Sequence, residues 1–162
     1  VITKILIAYD GSESAKEAMD FAFELAHHFN SELYVMAVFH LTEFGGEVEM
    51  QDFVSRTQSY FYQRMRNLRK QYPEMKKKTR LHIATGHPAE QILHYADGHG
   101  IDHIVVGHRG KKQFSQWLLG SVARQVVDHA PCPVTVTHEN ILIGWYATDL
   151  FPCVFFTRSS VQ

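Results

Sequence analysis

Cysteine is nearly missing from this chain of 162 residues: Cys132 and Cys153 are the only two. Two thiols make neither a disulfide framework nor a Cys-based metal set, and a reducing compartment suits them. An excess of positive charge is missing too. Sixteen Lys and Arg face 17 Asp and Glu, for a formal net charge of -1. That argues against a general nucleic-acid binder, because neutralising phosphates takes a basic surface. No apolar run reaches membrane-spanning length. Val1 to Ala8 leads straight into Asp10-Gly11 without the layout of a signal peptide. The expectation is a soluble cytoplasmic domain with no membrane and no nucleic acid among its partners. Also absent are the Walker pattern G-x4-G-K-(S/T), any HExxH, and a Ser-His-Asp or Cys-His set arguable from spacing.

What is present is enough for a single packed domain, with 45% hydrophobic and 20% charged residues. Histidine is abundant, with 11 in the chain. His94, His99, His103 and His108 are spaced by four or five residues, which invites a metal reading. They straddle Gly98, Gly100 and an expected strand, so no one helical face can carry them. Scattered surface histidines are the reading adopted.

Hydrophobic periodicity divides the chain into alternating strands and helices. Lys4–Tyr9 reads as a strand closed by Asp10-Gly11. A helix opens around Ser12–Glu17, with Ser14 and Glu17 at capping-box spacing, and continues through Ala15, Ala18, Ala22 and Ala26. Glu32–Val38 is an almost wholly apolar strand, expected to be buried on both faces. An amphipathic helix follows from about Glu47 to Tyr72, where Pro73 ends it. Thr79–Thr85 is a strand. A helix starts at Pro88 and is stopped by Gly98 and Gly100. Ile101–Val106 is a strand, Val122–His129 a helix, and Val134–Thr137 a fifth strand. Five such units imply an α/β fold: a five-stranded parallel sheet, doubly wound, with helices on both faces. Ligands in such sheets bind beyond the carboxyl ends of the strands, where strand order reverses. Residues 139–162 lie beyond this pattern. Packing on the domain, an added edge strand, association and an aberrant extension all remain open for them.

One stretch points to chemistry. Gly107, Gly110, Gly120 and Ser121 are spaced as G-x2-G-x9-G-S, between an apolar strand and a helix start. A helix N-terminus offers unpaired N–H groups and partial positive charge, and glycines let the backbone approach an anion. The stretch therefore reads as a nucleotide-phosphate site, although glycines also serve tight turns alone. Asp10 reads either as an Asp-Gly turn former or as a ligand group at a strand's carboxyl end. Arg109, Lys111 and Lys112 read either as phosphate-neutralising cations or as solvated loop charges. His108, beside the loop, is weak evidence for proton transfer.

With these motifs, the chain over about Ile2 to His138 resembles the universal stress protein family. Its nucleotide-binding members carry G-x2-G-x9-G-(S/T). Asp10 in Ala8-Tyr-Asp-Gly-Ser12, Gly86-His-Pro88 and Ala130-Pro-Cys-Pro133 match other marks of the family. The resemblance implies a Rossmann-like sheet of strand order 3-2-1-4-5 in a domain over 1–138, with 139–162 as an extension of unassigned role. It implies a site for ATP, with Mg2+ as its companion ion. Ala8 and Tyr9 would flank the base. Asp10 would face the ribose and the phosphate or metal side, and the Val38 backbone would meet the adenine. Gly107, Arg109 and Gly110 would shape the phosphate loop, and Gly120, Ser121 and Val122 would offer N–H groups. It also implies a homodimer through strand five, Pro133 to Thr137, which the extension directly follows. The function read from this is a nucleotide-responsive regulatory module in stress response. The alternatives are a nucleotide-independent dimeric scaffold or a slow ATPase. Without a Walker lysine or a placed base, binding is favoured over turnover.

Overall fold

A computed structural model describes residues 1–40, 46–71, 73, 75–109, 119–138 and 153–156. The elements are β1 Lys4–Ala8, α1 Glu13–Phe29, β2 Glu32–Phe39, α2 Glu47–Gln71, α3 Met75–Lys78, β3 Thr79–Thr85, α4 Pro88–His99, β4 His103–Gly107, α5 Ser121–His129, β5 Val134–Thr137 and β6 Cys153–Phe156. They build one sheet of order β3-β2-β1-β4-β5-β6. The first five strands are parallel, in the expected order 3-2-1-4-5. The sixth, β6, pairs antiparallel with β5, Val134 opposite Phe156 and Thr137 opposite Cys153. Of the options open for residues 139–162, an added edge strand is therefore the one realised within the described part.

Strand order reverses at β1, which pairs with β2 on one side and β4 on the other. The alternation of side chains along these strands fills two cores. Ile5, Ile7, Leu33, Val35 and Val105 pack under α1 and α2 with Ala18, Ala22, Phe23 and Phe61. Leu6, Met36, Ile104, Val106 and Val136 pack under α4 and α5 with Ile92, Ala96, Ala123 and Val126. Each fully buried Leu, Ile or Phe contributes roughly 1.5–3 kcal/mol. The central strands need apolar residues in succession because both of their faces are covered.

The helix ends explain how the strands are aimed. Ser12, not Ser14, is the N-cap of α1: its Oγ accepts the Ala15 N–H at 3.1 Å. The capping-box reading was two residues late because Ser14 is buried inside the helix and is used elsewhere. Asn30 ends α1 in the left-handed conformation at φ 57°, and Gly100 does the same for α4 at φ 60°. Gly98, read as a stop, lies inside α4; the helix runs through it to its cap at Gly100.

Candidate functional site

Strand register places the proposed residues at one end of the sheet. Ala8 is level with Met36 on one side and Val106 on the other. Gly107 is therefore level with Tyr9, and Val38 with Asp10, just past the point where β1 stops pairing. Tyr9 donates its N–H to the Met36 carbonyl at 2.8 Å. In a strand, alternate residues point their N–H and C=O groups to the same side. Met36 faces β1, so Val38 faces the gap that opens where β1 ends. On the opposite edge Phe39 accepts from Gly86 N–H at 3.0 Å, as that alternation requires.

Asp10 and the β4 loop meet across this gap through Ser12. Asp10 Oδ1 accepts the Ser12 N–H at 2.9 Å, an Asx turn with Gly11 at φ 82°. The Ser12 hydroxyl donates to the Arg109 carbonyl at 3.4 Å. The Asp10 turn and the loop thus share one wall. The Tyr9 ring goes instead into the core beneath α1 and α2, stacked on Tyr60 with ring centroids 5.2 Å apart. Burial, with the neighbouring Tyr60 and Asp10, pushes its hydroxyl well above the usual phenol range.

The base of the glycine loop is pinned. His108 donates its N–H to the Thr137 carbonyl at 2.8 Å and accepts from the Gly120 N–H at 2.8 Å. The chain leaves at Arg109 and returns at Gly120, directly into α5. Gly120 is the N-cap, in extended conformation, with no side-chain capping bond. The first turn of α5 holds no acid, whereas α1, α2 and α4 start with Glu13, Glu47 with Glu49, and Glu90. As at any helix start, the N–H groups of Ser121, Val122 and Ala123 have no acceptor within the helix. A phosphate suits this end because neither a capping oxygen nor a carboxylate competes for its partial positive charge.

Gly107 also has a packing role that the sequence did not indicate. A Cβ there would stand 2.5 Å from Ser14 Oγ and 2.8 Å from the Ser14 carbonyl carbon. The glycine admits the first turn of α1 against the end of β4. Gly110, Lys111 and Lys112 lie outside the described residues. Two histidines are not surface groups, contrary to expectation. His103 is 3% exposed and bonded to Thr135 Oγ1 at 2.8 Å; burial lowers its pKa. His108 is 4% exposed, with Nδ1 3.2 Å from Ser14 Oγ and its ring stacked on His138 at 4.0 Å. Sequence reading missed Ser12 as a bridge and Ser14 as a partner. The Asp10-x-Ser12 spacing signals the first, but nothing local signals a contact between Ser14 and His108.

The structure thus brings Ala8, Asp10, Val38, Gly107, Arg109, Gly120, Ser121 and Val122 to one end of the sheet. Among the described residues no His, Cys, Asp or Glu cluster is built to hold a metal ion, and no helix is long and apolar enough to cross a membrane.

Residues 2–138 match the model of the universal stress protein family. Universal stress protein MJ0531 of Methanocaldococcus jannaschii is 32% identical over 139 residues, covering 84% of this chain and 82% of that protein. The solved structure of MJ0577 superposes with a TM-score of 0.66 at 26% identity, covering 86% of this chain and 97% of that one. An Arabidopsis thaliana member of the family, solved with AMP bound, has the same fold at a TM-score of 0.57 and 20% identity, covering 85% and 92%.

Proposed function

This chain belongs to the universal stress protein family, and we propose that it is a cytoplasmic adenine-nucleotide-binding module whose occupancy regulates a stress response. The observation that carries the reading is the start of α5, a helix without capping side chain or acid in its first turn, bonded through Gly120 to His108 at the end of the sheet where Asp10 and Val38 also lie. The AMP held by the Arabidopsis relative is in keeping with it. In this proposal residues 1–138 form the binding unit and 139–162 an appended segment. The ligand is ATP, with Mg2+ on its phosphates. The Val38 backbone meets the adenine edge, and Ala8 and Tyr9 flank it through the backbone of the strand end. Asp10 faces the ribose and the metal side. Gly107, Arg109 and Gly110 shape the loop; the Gly120 N–H is already bonded to the His108 carbonyl, so the Ser121 and Val122 N–H groups hold phosphate, with the Ser121 hydroxyl as a further donor.

The same reading includes a homodimer through Pro133–Thr137, with one condition. In the monomer β6 pairs along that edge, so a second copy takes it only where β6 leaves.

Mass spectrometry of small molecules released from freshly purified protein is the first test, followed by titration with fluorescent ATP. Saturable binding that is lost in Asp10→Ala and Gly110→Val is expected. Wild-type protein that binds no better than both variants would remove the nucleotide reading.

A further inference from the structure

A polar chain runs from α1 through the buried His108 to Arg109, just past the end of β4. His108 sits in its middle, with Ser14 Oγ at Nδ1 and the Arg109 Nε–H at Nε2. Ser14 and His108 are 1% and 4% exposed. The partners decide which tautomer is present. Arginine nitrogens only donate, so Nε2 must carry a lone pair and accept. The ring proton then stands on Nδ1 and donates to the Ser14 hydroxyl oxygen. Both ring nitrogens are satisfied only by the neutral imidazole. A second proton would remove the acceptor that Arg109 uses and set a cation against the guanidinium.

We propose that His108 is a positioning residue: as a neutral imidazole, it fixes the Arg109 guanidinium at the mouth of the crevice for a nucleotide phosphate. The inference rests on the nucleotide reading above for its ligand, but not for its geometry. Arg109 is held twice, by its side chain on His108 and by its carbonyl on the Ser12 hydroxyl. His108 is itself fixed by Thr137, Gly120 and Ser14 from β5, the start of α5 and α1. Ser14 from α1, His138 after β5 and Arg109 are among the groups around the ring. Asp10 lies one step further, through Ser12. Locking an arginine before the ligand arrives spares it rotamer freedom that it would otherwise lose on binding.

Three proteins test this: wild type, His108→Gln and His108→Leu. The glutamine keeps an oxygen to accept from Arg109 and does not titrate; the leucine keeps bulk alone. Fluorescent ATP affinity near pH 7.5 should fall about tenfold in the leucine variant and stay within about threefold of wild type in the glutamine variant, the range expected for one charge-assisted hydrogen bond. Acidification that charges His108 should lower wild-type affinity relative to His108→Gln, because it removes the acceptor that holds Arg109. The phosphate's own titration is common to both and cancels in the ratio. Thermal melts identify a leucine variant that fails to fold, in which case the glutamine comparison carries the test. A ratio that rises in acid because a charged His108 binds phosphate directly overturns the inference, as does wild-type affinity in the leucine variant. A readout without ligand separates the two readings. In 15N spectra, the Arg109 Nε–H should be protected in wild type and exchange freely in His108→Leu. If that protection is present but ATP does not bind, the positioning holds and the nucleotide reading fails. If it is absent, the positioning fails.

Discussion

A single methyl group tests the packing under the loop. Gly107→Ala would force its Cβ to 2.5 Å from Ser14 Oγ, with the Ser14 backbone just behind. Backbone cannot yield as a flexible side-chain tip does, so the expected cost is about 1–3 kcal/mol, as for overpacking elsewhere. Urea unfolding measures it; an unchanged midpoint would mean that α1 and β4 can separate freely. His103 gives a pH signature at the same scale. Burial depresses its folded pKa, so the unfolded chain takes up the proton first as pH falls. Its contribution is whole above the ordinary histidine value of about 6.5 and is lost as pH drops below it. Wild-type stability should therefore decline between about pH 7.5 and 5.5 more steeply than that of His103→Gln, both followed by urea unfolding. Equal slopes would exclude His103 as the source. Neither residue's role was legible in sequence. The spacing marked Gly107 as a loop glycine but could not show that it also admits a helix about ninety residues earlier in the chain. The histidines were read as surface groups because burial of a polar ring depends on a partner, such as Thr135, that only the fold supplies.

At the scale of elements, α5 separates binding from stability. Ser121→Asp would place a negative charge at its first, exposed residue. An acid in the first turn favours a helix by about 0.3–1 kcal/mol. The same carboxylate would occupy the N–H groups and repel a phosphate. The expected result is an unchanged or slightly raised melting temperature together with at least a tenfold loss of ATP affinity. Loss of fold, or retained affinity, would contradict this role for the helix start. The elements themselves were largely legible. Apolar runs and three-to-four spacing placed β1 to β5 and the long helices because each buries a face whose period is written in the chain. The cap of α1, though not its start, was misplaced because two serines two residues apart offer the same local signal. Only the packing of Ser14 on His108 separates them.

At the scale of the whole molecule, the sheet's last edge decides association. Val154 pairs opposite Val136, and a proline there cannot donate to the ladder. Val154→Pro should release β6 and expose β5. Sedimentation should then show a concentration-dependent dimer that the unaltered chain lacks. An identical, monomeric profile for both would remove the β5 dimer proposal, and a wild-type dimer would show that β6 is no barrier to it. The fate of this segment was not legible because two apolar runs after a complete pattern fit a strand, a packing face or an interface equally. Tied to the chain it completes, β6 meets its partner at an effective concentration on the order of millimolar. Another copy must compete from ordinary protein concentrations. The edge is guarded by mass action: membership of the same chain, more than the strength of a four-residue strand, sets how much crowding it takes to turn one molecule into two.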